Sequence, residues 1–219
     1  MNEPLIVFLD ANVLAKPVTR TLILRCAASG YTVVWSATAE AEADRHLSAR
    51  QLSVADLRAT VGIRLSKPGR APERFTGTPV GDQQILADAE AAGAVFLVTE
   101  DVDDFVADDL RTAGVSAVNP DLFLAERVGE DVYRRALEVM VSGMRHPSRT
   151  PAELHAAIAR QHPRLFRRHR NLFSVEPQET GHREPAVLYR GRTCVRCTLR
   201  QLDEADLPGG LCAGCASLT

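Results

Sequence analysis

The most constraining feature of this chain is a repeated pattern: a short apolar run, an acidic residue, then helical periodicity. Leu5-Ile6-Val7-Phe8-Leu9 ends at Asp10. Thr32-Val33-Val34-Trp35 leads to Glu42, and Val95-Phe96-Leu97-Val98 leads to Asp101. Such runs read as short buried strands, and their alternation with helical pattern implies a parallel sheet. A fourth acid, Asp82, opens the apolar-faced helical segment 81–93. In an open parallel sheet the ligand site lies beyond the carboxyl ends of the strands. Acids at three such ends and one helix start can therefore converge. Clustered carboxylates do not all stay ionised without a compensating cation, and their hard oxygens suit Mg²⁺ or Mn²⁺.

The 219 residues leave room for one α/β domain and an appendage. No apolar stretch approaches the ~20 residues of a membrane span. The run 4–9 lacks a basic flank and meets Asp10 at once, unlike a signal peptide. A cytoplasmic location is expected. The net charge of -2 hides an asymmetry: residues 1–125 carry 11 Lys+Arg against 17 Asp+Glu, and residues 126–219 carry 15 against 11. The stretch 145–200 holds 12 Arg, 4 Glu and five of the six His. An acidic half and a basic half suit an enzyme that holds a polyanion in one place and cuts it in another, although a solvated Arg-rich surface gives the same count.

Strands are predicted at 5–9, 31–35, 94–98 and 115–118, with helices at 36–50, 54–64, 82–92 and 103–113. Ser36 is a good N-cap, Ser53 to Asp56 resembles a capping box, and Gly30 and Gly114 are helix stops. Asn119-Pro120 breaks the pattern and helices resume from Asp121. Thr150-Pro151-Ala152-Glu153 opens a further helix to about 161, which Pro163 ends. The expected units are an α/β domain at 1–125, a basic helical extension at 126–170, a linker at 171–189 and a separate module at 190–219.

Taken singly, each acid has a structural reading: a strand-end Asp caps the next helix, and Asp82 suits the helix dipole. Asp101, Asp103, Asp104, Asp108 and Asp109 read equally as a solvated face. Taken in order, the motifs resemble the PIN-domain nucleases. Val7-Phe8-Leu9-Asp10-Ala11-Asn12 looks like the family's opening strand with Asp-x-Asn. Glu42, after Trp35-Ser36, is similar to its second acid, and Gly81 to Ala89 to its third motif. Val98-Thr99-Glu100-Asp101-Val102-Asp103-Asp104-Phe105 is similar to its fourth, and Asn119 to Leu124 resembles the tail of a branch related to VapC-type toxins. The likeness covers about residues 5–125.

The resemblance implies a three-layer α/β/α sandwich with a central parallel sheet. It implies a metal-dependent endoribonuclease that hydrolyses RNA phosphodiester bonds by a Mg²⁺- or Mn²⁺-activated water, leaving 5′-phosphate and 3′-hydroxyl ends. Asp10, Glu42, Asp82, Asp101 and Asp104 form the catalytic set. Asp10, Asp82 and Asp101 are expected on the metal, and Glu42 on a second metal or the water. Asn12 and Thr99 are expected to orient the carboxylates. Glu40 competes with Glu42, and Asp104 with Asp101 as the main ligand, if the helix at 103–113 carries Asp104 in its first turn. The resemblance also admits a small antitoxin partner or an RNA-processing role, and a homodimer.

Cys194-x₂-Cys197 and Cys212-x₂-Cys215 lie 14 residues apart, close to zinc-site spacing. Four thiolates on two turns predict a small zinc ribbon with structural Zn²⁺; a disulfide or a redox pair fits a cytosolic segment of this length less well. Cys26 reads as core. Arg192, Arg196 and Arg200, with Arg190, favour nucleic acid near the ribbon, diluted by Asp203, Glu204 and Asp206. Arg164, Arg167, Arg168 and Arg170, with Phe166, His169 and Phe173, read equally as an RNA grip or as a helix packed through Leu165 and Phe166. Two rivals remain: a non-catalytic scaffold that binds nucleic acid or protein through the ribbon and Arg-rich face, and a DNA nuclease of the flap-cleaving type.

Overall fold

The computed structural model describes residues 5–144, 147–178, 185–198, 202 and 209–217. Arg200, Asp203, Glu204 and Asp206 fall outside them. The strands are β1 (Leu5–Leu9), β2 (Tyr31–Val34), β3 (Phe96–Val98), β4 (Ser116–Val118) and β5 (Tyr189–Arg190), in the order β2-β1-β3-β4-β5. The first four pair in parallel, and β5 is antiparallel to β4. β1, β3 and β4 lie inside the sheet and read as unbroken apolar runs because they are covered on both faces; Val7, Phe8, Leu9, Phe96, Leu97, Val98, Ala117 and Val118 are all fully buried. β2, at the edge, buries Tyr31 and Val33 while Thr32 is exposed.

The α-helices are α1 (Ala11–Leu14), α2 (Pro17–Arg25), α3 (Ala37–His46), α4 (Val54–Val61), α5 (Val80–Ala91), α6 (Ala107–Ala113), α7 (Pro120–Arg127), α8 (Glu130–Ser142), α9 (Pro151–Ile158), α10 (Pro163–Arg168) and α11 (Ala213–Ala216). The chain leaves β1 in one direction to reach β2, then crosses back over β1 to reach β3. With right-handed crossovers, that reversal sends α2 to one face and α5 and α6 to the other. α2 packs with α8, while α5 packs with α3 and α6. The carboxyl ends of β1 and β3 flank the reversal, which is where such sheets bind ligands. Among the described residues no helix is long and apolar enough to cross a membrane.

Local rules account for most helix ends. Ser36 accepts from the Ala39 N–H at 3.2 Å, and Thr150 with Glu153 closes a complete capping box. Asn119 does not break the pattern: its side chain caps α7, whose first residue is Pro120. Pro163 likewise starts α10. The expected helix at 103–113 divides instead. Residues 102–104 form a 3₁₀ turn, and α6 begins only at Ala107, so Asp104 lies on the turn.

The clearest departure is at the carboxyl end of the chain. Residues 171–178 and 185–188 have no regular structure, yet Leu172, Phe173, Val187 and Leu188 pack against the core, and residues 189 and 190 are part of the sheet. The cysteine segment is fused to the sheet edge. The Asn119 N–H donates to the Leu188 carbonyl at 2.8 Å, and the Tyr189 hydroxyl donates to the Thr193 carbonyl at 2.7 Å. Ser116 Oγ accepts from the Arg192 and Thr193 N–H groups, each at 3.3 Å.

Candidate active site

Asp10 follows β1 and stops the strand by capping α1: its Oδ1 accepts the Ala11 N–H at 2.6 Å. Its Oδ2 accepts the Thr99 hydroxyl at 2.7 Å. Thr99 follows β3, and having donated its one proton it accepts from Asn12 Nδ2 at 3.0 Å and the Asp101 N–H at 3.1 Å. Asn12 Nδ2 also reaches Asp101 Oδ2 at 3.0 Å, and Asn12 Oδ1 accepts the Glu100 N–H at 3.2 Å. One network therefore locks the ends of β1 and β3 together and fixes two carboxylates, through Asn12 and Thr99.

The remaining acids face this pair. Burial pushes the Asp10 carboxyl up to about 7 against the pull of Thr99 and Ala11, with Asp82 and Glu42 adding to the rise. Asp82, half-buried in the first turn of α5, is pushed up to about 6 by burial first, then by Asp104, Glu42 and Asp101. Asp10 and Asp82 both feel Glu42, and Asp82 also feels Asp101 and Asp104, so the five acids of the sequence analysis form one electrostatic cluster. Glu40 is engaged elsewhere. It accepts from Trp35 Nε1 at 3.0 Å and Arg58 Nε at 2.8 Å, and so braces β2 and α4. Asp104 heads the charges acting on Asp82, while Asp101 is the one tied to Asn12. Other acids have plain structural duties. Asp109 accepts from the Gly77 and Thr78 N–H groups, and Asp88 from the Gly69 N–H.

Beside the acids lies a pocket of about 480 Å³, bordered by Lys16, Asp101, Asp121, Arg160, Arg164 and Arg167. Lys16 pairs with Glu100 at its rim. Asp121 is a residue that sequence reasoning missed. It is buried, and it accepts the N–H groups of Arg164 at 2.9 Å and Leu165 at 3.0 Å, anchoring α10 to α7. Burial raises its carboxyl to about 6, although those N–H groups and the Arg164 and Arg167 charges oppose the rise. The motif that contains Asp121 does not reveal this anchoring role, because its partners lie more than forty residues away.

Of the two readings left open for the aromatic and imidazole groups near α10, the structure favours packing. Phe166 is 5% and His169 6% exposed. His169 stacks on Tyr133 at 4.8 Å and His155 on Phe166 at 4.5 Å. Phe173 is half-buried against His155. Arg168 and Arg170 are exposed, as is Arg192. Arg192 stands at the amino end of β4, away from the pocket. Arg196 leaves the expected RNA set: its Nε donates to Glu126 at 2.7 Å and its Nη1 to the Cys215 carbonyl at 2.8 Å.

Cys194, Cys197, Cys212 and Cys215 have their sulfurs within 4.8 Å of one another, and this group can hold a metal such as zinc. The five cysteines are free thiols. Burial pushes the Cys194 thiol up, but the N–H groups of Cys197 and Cys212 outweigh it and draw the thiol down, favouring the thiolate a metal needs. Arg127 of α7 donates to the Arg196 carbonyl at 2.7 Å and seats the first knuckle. Cys26 is core, and burial pushes its thiol up to about 12. Among the described residues the cysteines are the group whose ligand atoms already lie that close. The chain matches no protein-family model, curated protein or solved structure.

Proposed function

We propose that this chain is a metal-dependent endoribonuclease with a PIN-like, three-layer catalytic domain and a structural zinc site. The observation that carries the reading is the position and state of Asp10. It is a buried carboxyl raised to about 7, beside Asp82 and Glu42, at the point where the sheet reverses its strand order. Such a carboxyl is either kept neutral by burial or offset by a cation, and carboxyls so perturbed cluster at functional sites. The donor set fits Mg²⁺ or Mn²⁺, with Asp10, Asp82 and Asp101 as expected ligands and Asp104 close enough to Asp82 to share the task. A divalent ion there supplies charge against the scissile phosphate and makes a neighbouring water a better nucleophile.

The chain's own residues supply orientation. Thr99 and Asn12 hold Asp10 and Asp101 in fixed rotamers. Glu42, whose charge acts on both Asp10 and Asp82, is assigned the task of orienting a water or sharing a second ion. The pocket bordered by Arg160, Arg164 and Arg167 adjoins Asp101 and suits the phosphates of a single strand leaving the site. The cysteine segment begins at the far end of β4, so its role in this reading is to hold the sheet edge.

The test is incubation of zinc-loaded protein with labelled single-stranded RNA and DNA in Mg²⁺, Mn²⁺ or EDTA, alongside Asp10→Asn and Asp82→Asn. The expected result is metal-dependent RNA cleavage that both variants lose by at least a hundredfold, roughly the scale of removing a positioned catalytic group. Cleavage that persists in EDTA or in Asp10→Asn refutes the assignment. RNA bound but never cut points to a scaffold, and preferential DNA cleavage to a flap-type nuclease.

A further inference from the structure

We propose that Arg190 is a positioning residue for Asp104, and that through it the cysteine module governs how tightly the carboxylate cluster binds a divalent cation. The inference rests on the reading of that cluster as a cation site.

Asp104 needs an external hold. It closes a 3₁₀ turn held by the Asp104 N–H to Asp101 bond at 3.1 Å and the Phe105 N–H to Val102 bond at 3.3 Å. Asp103 and Asp104 are exposed. Arg190 supplies the hold from β5. Its Nη1 donates to the carbonyls of Asp103 at 3.0 Å and Phe105 at 2.9 Å, and its Nη2 lies 3.5 Å from the Asp103 carboxylate. One guanidinium thus clamps the backbone on both sides of Asp104, on the turn that starts at Asp101, whose carboxylate Asn12 holds at 3.0 Å.

Arg190 is in turn held by the cysteine module. It pairs with Ala117 in the sheet, and Gly191 packs so tightly on Ser116 that an added Cβ would lie 2.3 Å from Ser116 Oγ. The neighbouring Tyr189 ring packs on Gly210, whose carbonyl accepts the Val195 N–H at 2.8 Å. Val195 lies inside the first Cys-x₂-Cys turn, and Cys212 follows Gly210 by two residues. A metal closing the four thiolates therefore fixes both strands of the knuckle on which Tyr189 rests. The path runs from thiolates to Val195 and Gly210, to Tyr189 and Arg190, to the turn that bears Asp104.

The sign of the effect separates positioning from charge. Arg190 is a cation near carboxylates, so if it acted only through its charge, removing it would tighten Mn²⁺ binding. A clamp predicts the reverse, since loss of groups that orient ligands typically weakens metal affinity about 10–100-fold. The experiment titrates Mn²⁺ into zinc-loaded full-length protein and follows free Mn²⁺ by electron paramagnetic resonance, with zinc content and circular dichroism checked in parallel. Wild type, Asp82→Asn, Arg190→Met, Arg190→Lys and Cys197→Ser are compared.

Expected are Mn²⁺ binding lost in Asp82→Asn, weakened at least tenfold in Arg190→Met and Cys197→Ser, and partly regained in Arg190→Lys, which keeps a donor on the same strand. Unchanged or tighter binding in Arg190→Met overturns the clamp while leaving the cation site intact. Unchanged binding in Cys197→Ser, beside a weakened Arg190→Met, overturns the role of the cysteine module. If wild type and Asp82→Asn bind alike, the carboxylate reading fails and this inference with it.

Discussion

Asp10 shows how one side chain carries two readings at once. It caps α1, as an ordinary strand-end Asp does, and it is also buried with a carboxyl raised to about 7. The consequence for metal-free protein follows from linkage. Because the folded value lies above the unfolded value of 3.8, the charged form is penalised in the native state. The penalty is absent below about pH 4, grows as the pH rises to about 7, and is constant above. In EDTA, Asp10→Asn should therefore unfold at higher denaturant than wild type at pH 8, by on the order of 4 kcal/mol at most, and this gain should vanish toward pH 4. Chemical denaturation at the two pH values checks this, and a variant less stable than wild type at pH 8 contradicts it. The residue scale was also where the sequence was most readable. The strand-end positions of Asp10 and Asp101 and the helix-start position of Asp82 follow from local pattern. The choice of Glu42 over Glu40 did not, because it depends on Trp35 and Arg58 occupying Glu40. The acidic run 101–109 is neither one face nor one site: Asp101 accepts from Asn12, Asp103 pairs with Arg190, and Asp109 holds residues 77–78.

At the scale of elements, β1, β3, β4 and the helix behind Thr150 were legible because buried runs and caps are local signals. β5 was not. Two residues give no periodicity, and their place is decided by contacts of Ser116 with residues 189–193. Gly191 is the restrictive point, with φ +144 and a Cβ position 2.7 Å from the Ser116 backbone. Gly191→Ala should cost roughly 1–3 kcal/mol in denaturant unfolding, the usual range for forced overpacking, whereas an unchanged midpoint would show that β5 is not held as described. The sequence leaves the role of α10 open for a related reason: His155 of α9 and His162 and His169 at the two ends of α10 are all buried, and the contacts that bury them are long-range. His162 is fully buried, with Nε2 3.0 Å from Thr19 Oγ1, and burial pushes it down to about 3. Its folded value lies below its unfolded value, so its contribution to stability is whole above pH 6.5 and is lost as the pH falls toward 3. Between pH 7 and pH 5, His162→Gln should gain about 2 kcal/mol relative to wild type, read from paired denaturation curves. A difference that does not change with pH would mean that His162 is not buried neutral.

The whole molecule departs from the arrangement of separate units suggested by composition. The acidic and basic halves are real in sequence, but the basic half contributes buried histidines, a sheet strand and an internal brace in Arg196 as well as exposed arginines. Glu126, Arg127 and Arg196 join α7 to the cysteine turns, so removing a bound metal should disturb the sheet edge and not the last thirty residues alone. Stripping zinc with a thiol-selective chelator should lower the melting temperature of the whole chain in one transition; melting of the main domain unchanged by the treatment would mean the module is separable after all. The central claim concerns the other end of the sheet, where the carboxylates meet. Its most direct measurement is anomalous X-ray scattering from crystals soaked in Mn²⁺, at the manganese and zinc edges. The account predicts a manganese peak among Asp10, Asp82 and the Asp101–Asp104 turn, distinct from a zinc peak at the four cysteines. A zinc peak with no manganese at the carboxylates, at millimolar Mn²⁺ and pH 8, would contradict it.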